Sequence, residues 1–259
     1  MLEVVDLSRS LDKSAYRKKI NPLQERLWEL QRLCWRASIP VVIVFEGWDA
    51  AGKGRCVAKL TGRLEPRGFE VHHVTGEPRT HELDLPWMWP FWVTTPRRGK
   101  IAIFDRSWNH RALVDRVANP KDEMRWRRAL RDIGDYERWL SDDGYVLIKF
   151  FLHISPEEQL GRYQQREEDP GLSWKALEGV WQKPTHYSRH LAAAEELLQN
   201  TEVPWSPWTI VPATDSRWAR FQVLDTVVSR LEAALEERGE STRERREAGG
   251  SAGAEDEAC

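Results

Sequence analysis

The chain has 259 residues and a formal net charge of −2, a length that suits one α/β domain with extensions. Its three cysteines, Cys34, Cys56 and Cys259, are widely scattered, which excludes a disulfide framework and a cysteine-based metal site and favours a reducing compartment. No apolar run approaches the length of a membrane span, and the start, MLEVVDLSRS, lacks a signal-peptide pattern, so we expect a cytoplasmic protein without membrane or nucleic-acid partners.

The predicted elements alternate between helices and short apolar strands. Tyr16–Trp35 predicts an amphipathic helix, because Ile20, Leu23, Leu27 and Leu30 recur at helical spacing. Strand-like runs follow at Val41–Phe45, Glu70–Val74, Ile101–Phe104, Val146–Leu152 and Trp208–Val211. Helix-compatible stretches lie at Lys53–Glu65, Trp108–Val117, Lys121–Leu140, Pro156–Arg166, Tyr187–Leu198 and Ser216–Leu235. This alternation predicts a mostly parallel sheet covered by helices on both faces, with ligands at the carboxyl ends of the strands.

The ends of the chain differ in composition from its middle. We predict an N-terminal extension over residues 1–15, one folded domain over residues 16–235 and a disordered tail over residues 236–259. The tail has eight acidic and four basic residues and no aromatic residue, a composition that does not supply a core. Because the tail carries the excess of acidic residues, the predicted domain is mildly basic.

The most informative segment is VVIVFEGWDAAGKGR, at Val41–Arg55, in which an apolar strand leads into a G-x-x-x-x-G-K loop. Backbone N–H groups of such a loop converge on phosphate, and the following helix presents its positive end to the anion. Gly54 stands where a Ser or Thr hydroxyl usually binds magnesium, and Asp49 lies inside the loop. We therefore predict Asp49 as a metal ligand. The predicted phosphate-binding residues of the loop are Gly47, Ala50, Ala51, Gly52, Lys53 and Gly54.

A second carboxylate follows another buried strand. The run IAIFDRSW ends its strand in Asp105, and Arg106 comes next. Since a carboxylate at this place commonly holds magnesium in phosphate-handling sheets, we predict that Asp49 and Asp105 share one metal site. Lys53 and Arg106 would supply positive charge. The alternative is that Asp105 only caps the next helix and pairs with Arg106.

Basic residues extend from the loop along the chain. Arg55, Lys59 and Arg63 recur every four residues, which predicts a basic stripe on one helix face that suits a long polyanion. Arg162 and Arg166 also lie four apart, on a predicted helix near the loop-like EEDPG, where they would suit a segment that closes over a phosphoryl group. A solvated helix face is the alternative for the first group. For Arg162 and Arg166 the alternative is a surface helix with ion pairs to Glu157, Glu158 and Glu167.

Other site classes are not supported. The seven histidines form no metal-binding pattern and no HExxH occurs. The sequence shows no convincing nucleophile, and phosphoryl transfer requires none because it depends on positioning and charge neutralisation. The segment NPKD at Asn119–Asp122 does not have the N-K-x-D order that reads guanine and follows a helix, which argues against a GTPase.

On these residues the chain resembles the polyphosphate kinase 2 family, most closely its polyphosphate:AMP phosphotransferase branch. The resemblance covers about Tyr16 to Leu235 and is carried by FEGWDAAGKG, LEPRGFEV, PRRGKIAIFDRSW, KFFLHISPEEQLGRYQQREEDP and PWTIVPATDSRWAR, in the order of the family. It implies a three-layer P-loop kinase fold with a helical lid around residues 155–185.

The resemblance also implies transfer of phosphate between inorganic polyphosphate and AMP, ADP or ATP, with guanine nucleotides as further candidates, and magnesium as cofactor with manganese as a substitute. By this analogy Asp49 and Asp105 position metal and phosphate, and Asp49 is a candidate base. Lys53 and Arg106 neutralise the moving group. Arg55, Lys59 and Arg63 follow the polyphosphate, Arg111 joins the binding residues, and Arg162 and Arg166 come from the lid.

Two positions depart from the family pattern. Asn109 and then His110 follow RSW, where the family continues with tyrosine, and Pro90 replaces a usual arginine. We expect both departures to affect acceptor preference or activity.

Two alternative functions stay open: an ATP-dependent small-molecule kinase and a non-catalytic polyphosphate or nucleotide binder. A dimer or tetramer is expected, with the aromatic segment Trp87–Trp92 serving either as interface or as core.

Overall fold

A computed structural model describes residues 1–76, 78, 80–168 and 187–252, with side chains for all of these except 81 and 240–252. A five-stranded parallel sheet forms its centre, in the order β2-β3-β1-β4-β5. The strands are β1 (Val41–Gly47), β2 (Phe69–His73), β3 (Ile101–Asp105), β4 (Val146–His153) and β5 (Trp208–Pro212). All five runs that the sequence predicts as strands are therefore strands.

Helices cover both faces of this sheet in the described part of the chain. They are α1 (Lys13–Arg36), α2 (Lys53–Thr61), α3 (Trp89–Val93), α4 (Trp108–Ala118), α5 (Glu123–Asp142), α6 (Pro156–Glu168), α7 (Tyr187–Thr201) and α8 (Ser216–Ala252). Helices α1, α2 and α8 pack together in one layer, and α4, α5 and α7 pack together in another. This arrangement confirms the predicted α/β architecture of three layers.

The central strand β1 explains why the sheet is buried on both faces. All seven of its residues are buried, and the apolar run Val41–Phe45 packs against helices on either side. In the parallel register, Phe45 of β1 lies beside Asp105 of β3 and beside Phe150 of β4. The residues that follow Phe45 and Asp105 therefore meet at one edge of the sheet, as the sequence predicts.

Several boundaries differ from the sequence prediction. The helix after the phosphate loop ends at Thr61 instead of Glu65, because Gly62 is its cap and Pro66 begins a 3-10 turn. The short helix α3 lies in the aromatic segment Trp87–Trp92 and was not predicted. Its Phe91 is buried in the core, whereas Trp92 is 40% exposed and packs on Trp139, so this segment is partly core and partly surface.

Residues outside the predicted domain also have defined positions at both ends of the described chain. Leu2, within the predicted extension, is 1% exposed and belongs to the core, and Glu195 of α7 accepts a hydrogen bond from its backbone N–H. Helix α8 continues to Ala252, through a stretch rich in the good helix formers Arg, Glu and Ala, and the disorder of the tail stays a prediction. Residues 253–259 lie outside the described residues, as do residues 169–186 of the predicted lid. None of the described helices has the length and apolar character needed to cross a membrane.

Candidate active site

The phosphate loop connects β1 to α2 and needs glycine at its first position. Gly47 has a φ of +119°, and a Cβ atom there would lie 2.2 Å from the Leu152 carbonyl oxygen of β4. Gly52 and Ala50 also have positive φ, at +102° and +63°. These left-handed residues turn the chain back so that α2 starts at Lys53 with its N-terminus at the sheet edge.

Lys53 lies folded over this loop. Its Nζ donates hydrogen bonds to the carbonyl oxygens of Gly47, at 2.9 Å, and Trp48, at 3.0 Å, and the residue is 7% exposed. Burial and the neighbouring Arg106 guanidinium lower the pKa of Lys53, although Asp49 works in the opposite direction. The loop therefore holds a buried amine beside the place where phosphate oxygens would be bound.

Asp49 is held between two donors. Its Oδ2 accepts a hydrogen bond from the Tyr163 hydroxyl at 2.6 Å, and its Oδ1 lies 3.4 Å from Arg106 Nη2. Burial works to raise the pKa of Asp49, but Lys53, the Tyr163 hydroxyl and Arg106 together lower it below its usual value. An ionised carboxylate of such low basicity suits charge positioning and metal binding better than the role of general base.

Asp105 lies next to the position where the common loop sequence has a hydroxyl. A Cβ atom at Gly54 would be 3.9 Å from Asp105 Oδ2, so glycine leaves the space beside this carboxylate open. His73 Nδ1, at the end of the neighbouring strand β2, lies 3.7 Å from the same oxygen. Burial opposes ionisation of Asp105, but His73 and Lys53 outweigh it and lower its pKa. Sequence reasoning missed His73, whose signal was its position at the end of a predicted strand.

The two carboxylates fit a divalent cation that is shared with phosphate. No group of three or more His, Cys, Asp or Glu side chains that could hold a metal occurs within the described residues. Magnesium usually takes one or two carboxylates and fills its remaining positions with water and substrate phosphates. Asp49 and Asp105, both ionised beside an anion-binding loop, match that pattern and do not form a closed protein cage.

The Arg162 side chain contacts the phosphate loop and the segment that follows β5. Its guanidinium pairs with Glu158 and donates to the carbonyl oxygens of Ala50, Ala213 and Thr214. Helix α6 places the Arg162 side chain over the phosphate loop and over the connection between β5 and α8. Its contacts therefore link these two segments. Arg162 therefore holds the phosphate loop in this structure, and its role in a lid that closes over a phosphoryl group stays a prediction.

Arg166 lies one turn further along α6, and its role in phosphate binding stays a prediction. Its guanidinium is 6.0 Å from the centre of the Tyr163 ring, and its charge helps to lower the pKa of Asp49. The same helix face holds the loop through Gln159, whose Nε2 donates to the Asp49 carbonyl oxygen at 3.2 Å. Helix α6 therefore carries Arg166 next to the carboxylate that the sequence predicts as a metal ligand.

The basic stripe on α2 is only partly as predicted. Arg55 is exposed and Lys59 is half-buried on the helix, but Arg63 lies beyond its end and pairs with Glu25 of α1 at 2.9 Å. Burial, Arg220 of α8 and Arg63 lower the pKa of Lys59. The cationic surface next to the loop is thus made by α2 and α8 together. Sequence reasoning missed Arg220, although it lies in the recognised segment PWTIVPATDSRWAR.

A cavity of about 600 Å³ lies between α4, α5 and the segment after β2. Its lining is mostly apolar and includes Trp87, Pro90 and Val114. At its polar end the Arg111 guanidinium pairs with Glu82 at 2.5 Å, and Arg111 Nε is buried and has no partner among the described residues. Arg111, which was predicted as a binding residue, lies in the first turn of α4, the helix that begins two residues after Arg106.

The two positions that depart from the family pattern lie in different places. Pro90 lines the cavity, so it is placed where it can contact a ligand. Asn109 is fully buried behind the Asp105–Ser107 turn, where its Nδ2 donates to Ser107 Oγ at 3.2 Å. His110 is also buried, and burial together with Arg106 holds its pKa well below the usual value. Asn109 and His110 thus belong to the support of the site.

Comparison with known proteins agrees with this geometry. Residues 10–239 match the family described as Polyphosphate kinase 2. The polyphosphate:AMP phosphotransferase of Pseudomonas syringae pv. tomato is 38% identical over 91% of this chain and 47% of its own length. The AMP/ADP-polyphosphate phosphotransferase of Meiothermus ruber is 32% identical over 85% of this chain and 82% of its own length.

A solved structure supports the fold. The crystal structure of a putative polyphosphate kinase 2 from Pseudomonas aeruginosa has a TM-score of 0.85 and 36% identity, over 91% of this chain and 50% of that chain. The chain spans about half the length of the polyphosphate:AMP phosphotransferases that it matches. With the phosphate loop and the parallel sheet, these matches confirm the predicted P-loop kinase fold. This chain belongs to the polyphosphate kinase 2 family.

Proposed function

We propose that this chain is a magnesium-dependent phosphotransferase that moves a phosphoryl group between inorganic polyphosphate and a nucleoside mono- or diphosphate, with AMP or ADP favoured. One observation carries the proposal: the phosphate loop with Lys53 lies at one edge of the sheet beside two ionised carboxylates, the buried Asp49 and the half-buried Asp105. The names of the relatives above support the donor and acceptor classes.

The reaction is an in-line phosphoryl transfer, in which the transferred phosphorus exchanges one bridging oxygen for another. A terminal phosphate oxygen of the nucleotide forms a bond to the end phosphorus of polyphosphate, while the bond from that phosphorus to the next bridging oxygen breaks. Lys53 and Arg106 stabilise the negative charge on the transferred group and the leaving oxygen. Bound magnesium, held by Asp49 and Asp105, would neutralise phosphate oxygens. Arg166 would approach the same phosphates from α6.

The cavity beside α4 suits the nucleoside part of the acceptor. Its volume and apolar lining match a base and a ribose, and Arg111 at its polar end suits a phosphate oxygen. Pro90 in its wall makes that wall apolar. We therefore place the acceptor in this cavity, with its phosphates directed towards Arg106.

A homo-oligomer, either a dimer or a tetramer, remains a prediction.

A donor and acceptor matrix tests the function. Purified protein is assayed with polyphosphate or ATP as sole donor and with AMP, ADP, GMP or GDP as acceptor, in both directions, with magnesium, with manganese and with a chelator. We expect metal-dependent turnover with polyphosphate and an adenine nucleotide. Turnover with ATP alone as donor would favour the small-molecule kinase, and saturable nucleotide binding without turnover would favour a non-catalytic binder.

The cationic surface predicts a dependence on chain length. Replacing both Lys59 and Arg220 with alanine should raise KM for long-chain polyphosphate about tenfold, corresponding to about 1.4 kcal/mol. Triphosphate is too short to extend from the loop along α2, so its KM should rise much less. Steady-state kinetics with both donors check this, with Arg131→Ala on the exposed face of α5 as control. Equal changes for the two donors would contradict an extended site.

A further inference from the structure

Glu46, the residue before Gly47, is a buried acid for which the proposed mechanism has no use. It is 1% exposed, although it lies at the end of a strand next to the phosphate loop. Its Oε1 accepts three hydrogen bonds, from the Ser107 backbone N–H at 2.8 Å, the Ser107 hydroxyl at 2.8 Å and the His110 backbone N–H at 3.1 Å. All three donors belong to the start of α4, directly after Arg106.

Arg106 has a conformation that needs support. Its φ of +66° is in the left-handed region, which costs a residue other than glycine about 1–3 kcal/mol and persists only where surrounding contacts enforce it. On one side, the Arg106 backbone N–H donates to the Phe45 carbonyl oxygen at 3.0 Å. On the other side, Glu46 holds the N–H of Ser107. Two neighbouring residues of β1 therefore fix both peptide groups of Arg106.

This backbone conformation directs the Arg106 side chain. The guanidinium is 13% exposed and its Nη2 lies 3.4 Å from Asp49 Oδ1, across the phosphate loop. A change of φ at Arg106 to the usual negative range would turn the side chain away from that position. We propose that Glu46 is a positioning residue, which holds Arg106 in its left-handed conformation and so keeps its guanidinium at the phosphoryl-transfer site.

The inference rests on the proposed function of Arg106. The hydrogen-bond geometry shows which property of Glu46 matters for this role, its charge or its reach. Burial raises the pKa of Glu46 to about 7, against the opposing effects of Ser107, Lys53 and Arg106. The other titratable groups near it are His110 of α4 and His190 of α7, which lines a small cavity together with Glu46. Since Oε1 accepts hydrogen bonds in both protonation states, reach matters more than charge.

Two substitutions separate reach from charge. Glu46→Gln keeps the length of the side chain and a carbonyl acceptor, so kcat should stay within about fivefold of the wild type. Glu46→Asp keeps the carboxylate but withdraws it by about 1.5 Å, one carbon–carbon bond. Because misplacement of a catalytic group by about 1 Å lowers rates about 10²-fold, kcat of Glu46→Asp should fall about 10²-fold. KM for AMP and polyphosphate should change less than twofold in both variants.

A control separates positioning from a general loss of stability. Asp122→Ala removes the side chain that caps α5, outside the proposed site, so its melting temperature should fall while kcat per folded molecule is retained. A crystal structure of Glu46→Asp should show Arg106 with a negative φ. If Glu46→Asp does not fold, Ser107→Ala, which deletes the hydroxyl that donates to Glu46, should lower kcat about threefold.

Three results would overturn the inference: Glu46→Asp with more than half the wild-type kcat, Glu46→Gln as impaired as Glu46→Asp, or Arg106 with positive φ in the structure of Glu46→Asp. If Ser107→Ala is used instead, an unchanged kcat of that variant would also overturn the inference. Failure of the proposed function is distinct, because it appears as absence of turnover in the wild type. The φ of Arg106 in Glu46→Asp tests the positioning role without any turnover.

Discussion

Replacing Asp105 with asparagine should lower kcat about 10³-fold, and Asp49→Asn should have a similar effect. Each substitution keeps the size of the side chain and removes the negative charge proposed to bind the metal. The amide oxygen introduced by Asp49→Asn can still accept the hydrogen bond of Tyr163, so the loop should keep its shape. The expected defect is therefore in charge, and melting temperatures should stay within a few degrees of the wild type.

Steady-state assays with polyphosphate and AMP at several magnesium concentrations measure this effect. Asp122→Asn is a matched control, since it makes the same substitution at the cap of α5, where asparagine is as favourable as aspartate. It should leave both kcat and stability unchanged. Retention of most activity in both Asp49→Asn and Asp105→Asn would show that these carboxylates do not form the metal site.

Replacing Glu137 with alanine should destabilise the protein by about 3–5 kcal/mol. Lys149 lies in the central part of β4 and is 0% exposed, and its Nζ pairs with Glu137 Oε2 at 2.6 Å. Lys149 Nζ also donates a hydrogen bond to the Thr201 carbonyl oxygen and lies 4.8 Å from the centre of the Trp208 ring, and Trp108 Nε1 donates to Glu137 Oε1. Without Glu137, the lysine charge remains in the core and loses the carboxylate with which it is hydrogen-bonded.

Denaturant unfolding measures this loss, and two variants test its cause. The double substitution Glu137→Leu with Lys149→Met removes both charges and should recover most of the stability. Arg138→Ala breaks a neighbouring ion pair with Asp142 whose side chains are half exposed, and it should change stability by less than about 1 kcal/mol. If Glu137→Ala and Arg138→Ala lowered the free energy of unfolding by similar amounts, burial would not be the cause of the large effect expected for the Glu137–Lys149 pair.

The strands and the phosphate loop could be predicted because their signals are local. An apolar run such as Val41–Phe45 reads as a buried strand, and the glycine spacing after it reads as an anion-binding turn. The parallel register then follows from the alternation with helices, and it brings the ends of β1 and β3 together. This is why Asp49, Lys53, Asp105 and Arg106 could be assigned to one site before the structure.

The partners of the basic side chains could not be predicted in the same way. Arg63 and Arg162 have the same i, i+4 spacing as residues that bind anions, but Glu25 and the Ala50, Ala213 and Thr214 carbonyl oxygens reach them from distant parts of the chain. The spacing of residues in a single sequence does not show which distant residues will contact an arginine side chain in the fold. The predicted stripe therefore does not continue along α2 to Arg63, and the binding role predicted for Arg162 stays a prediction.

The sequence by itself determined the α/β architecture, the phosphate loop and the residue types that carry charge to the edge of the sheet, since these depend on spacing along the chain. Only the tertiary structure decided how those residues are held: Tyr163 on Asp49, His73 beside Asp105, Arg220 near Lys59 and Glu46 behind Arg106. The physical reason is that a side chain's pKa and direction depend on the groups packed around it, and folding brings those groups from separate elements.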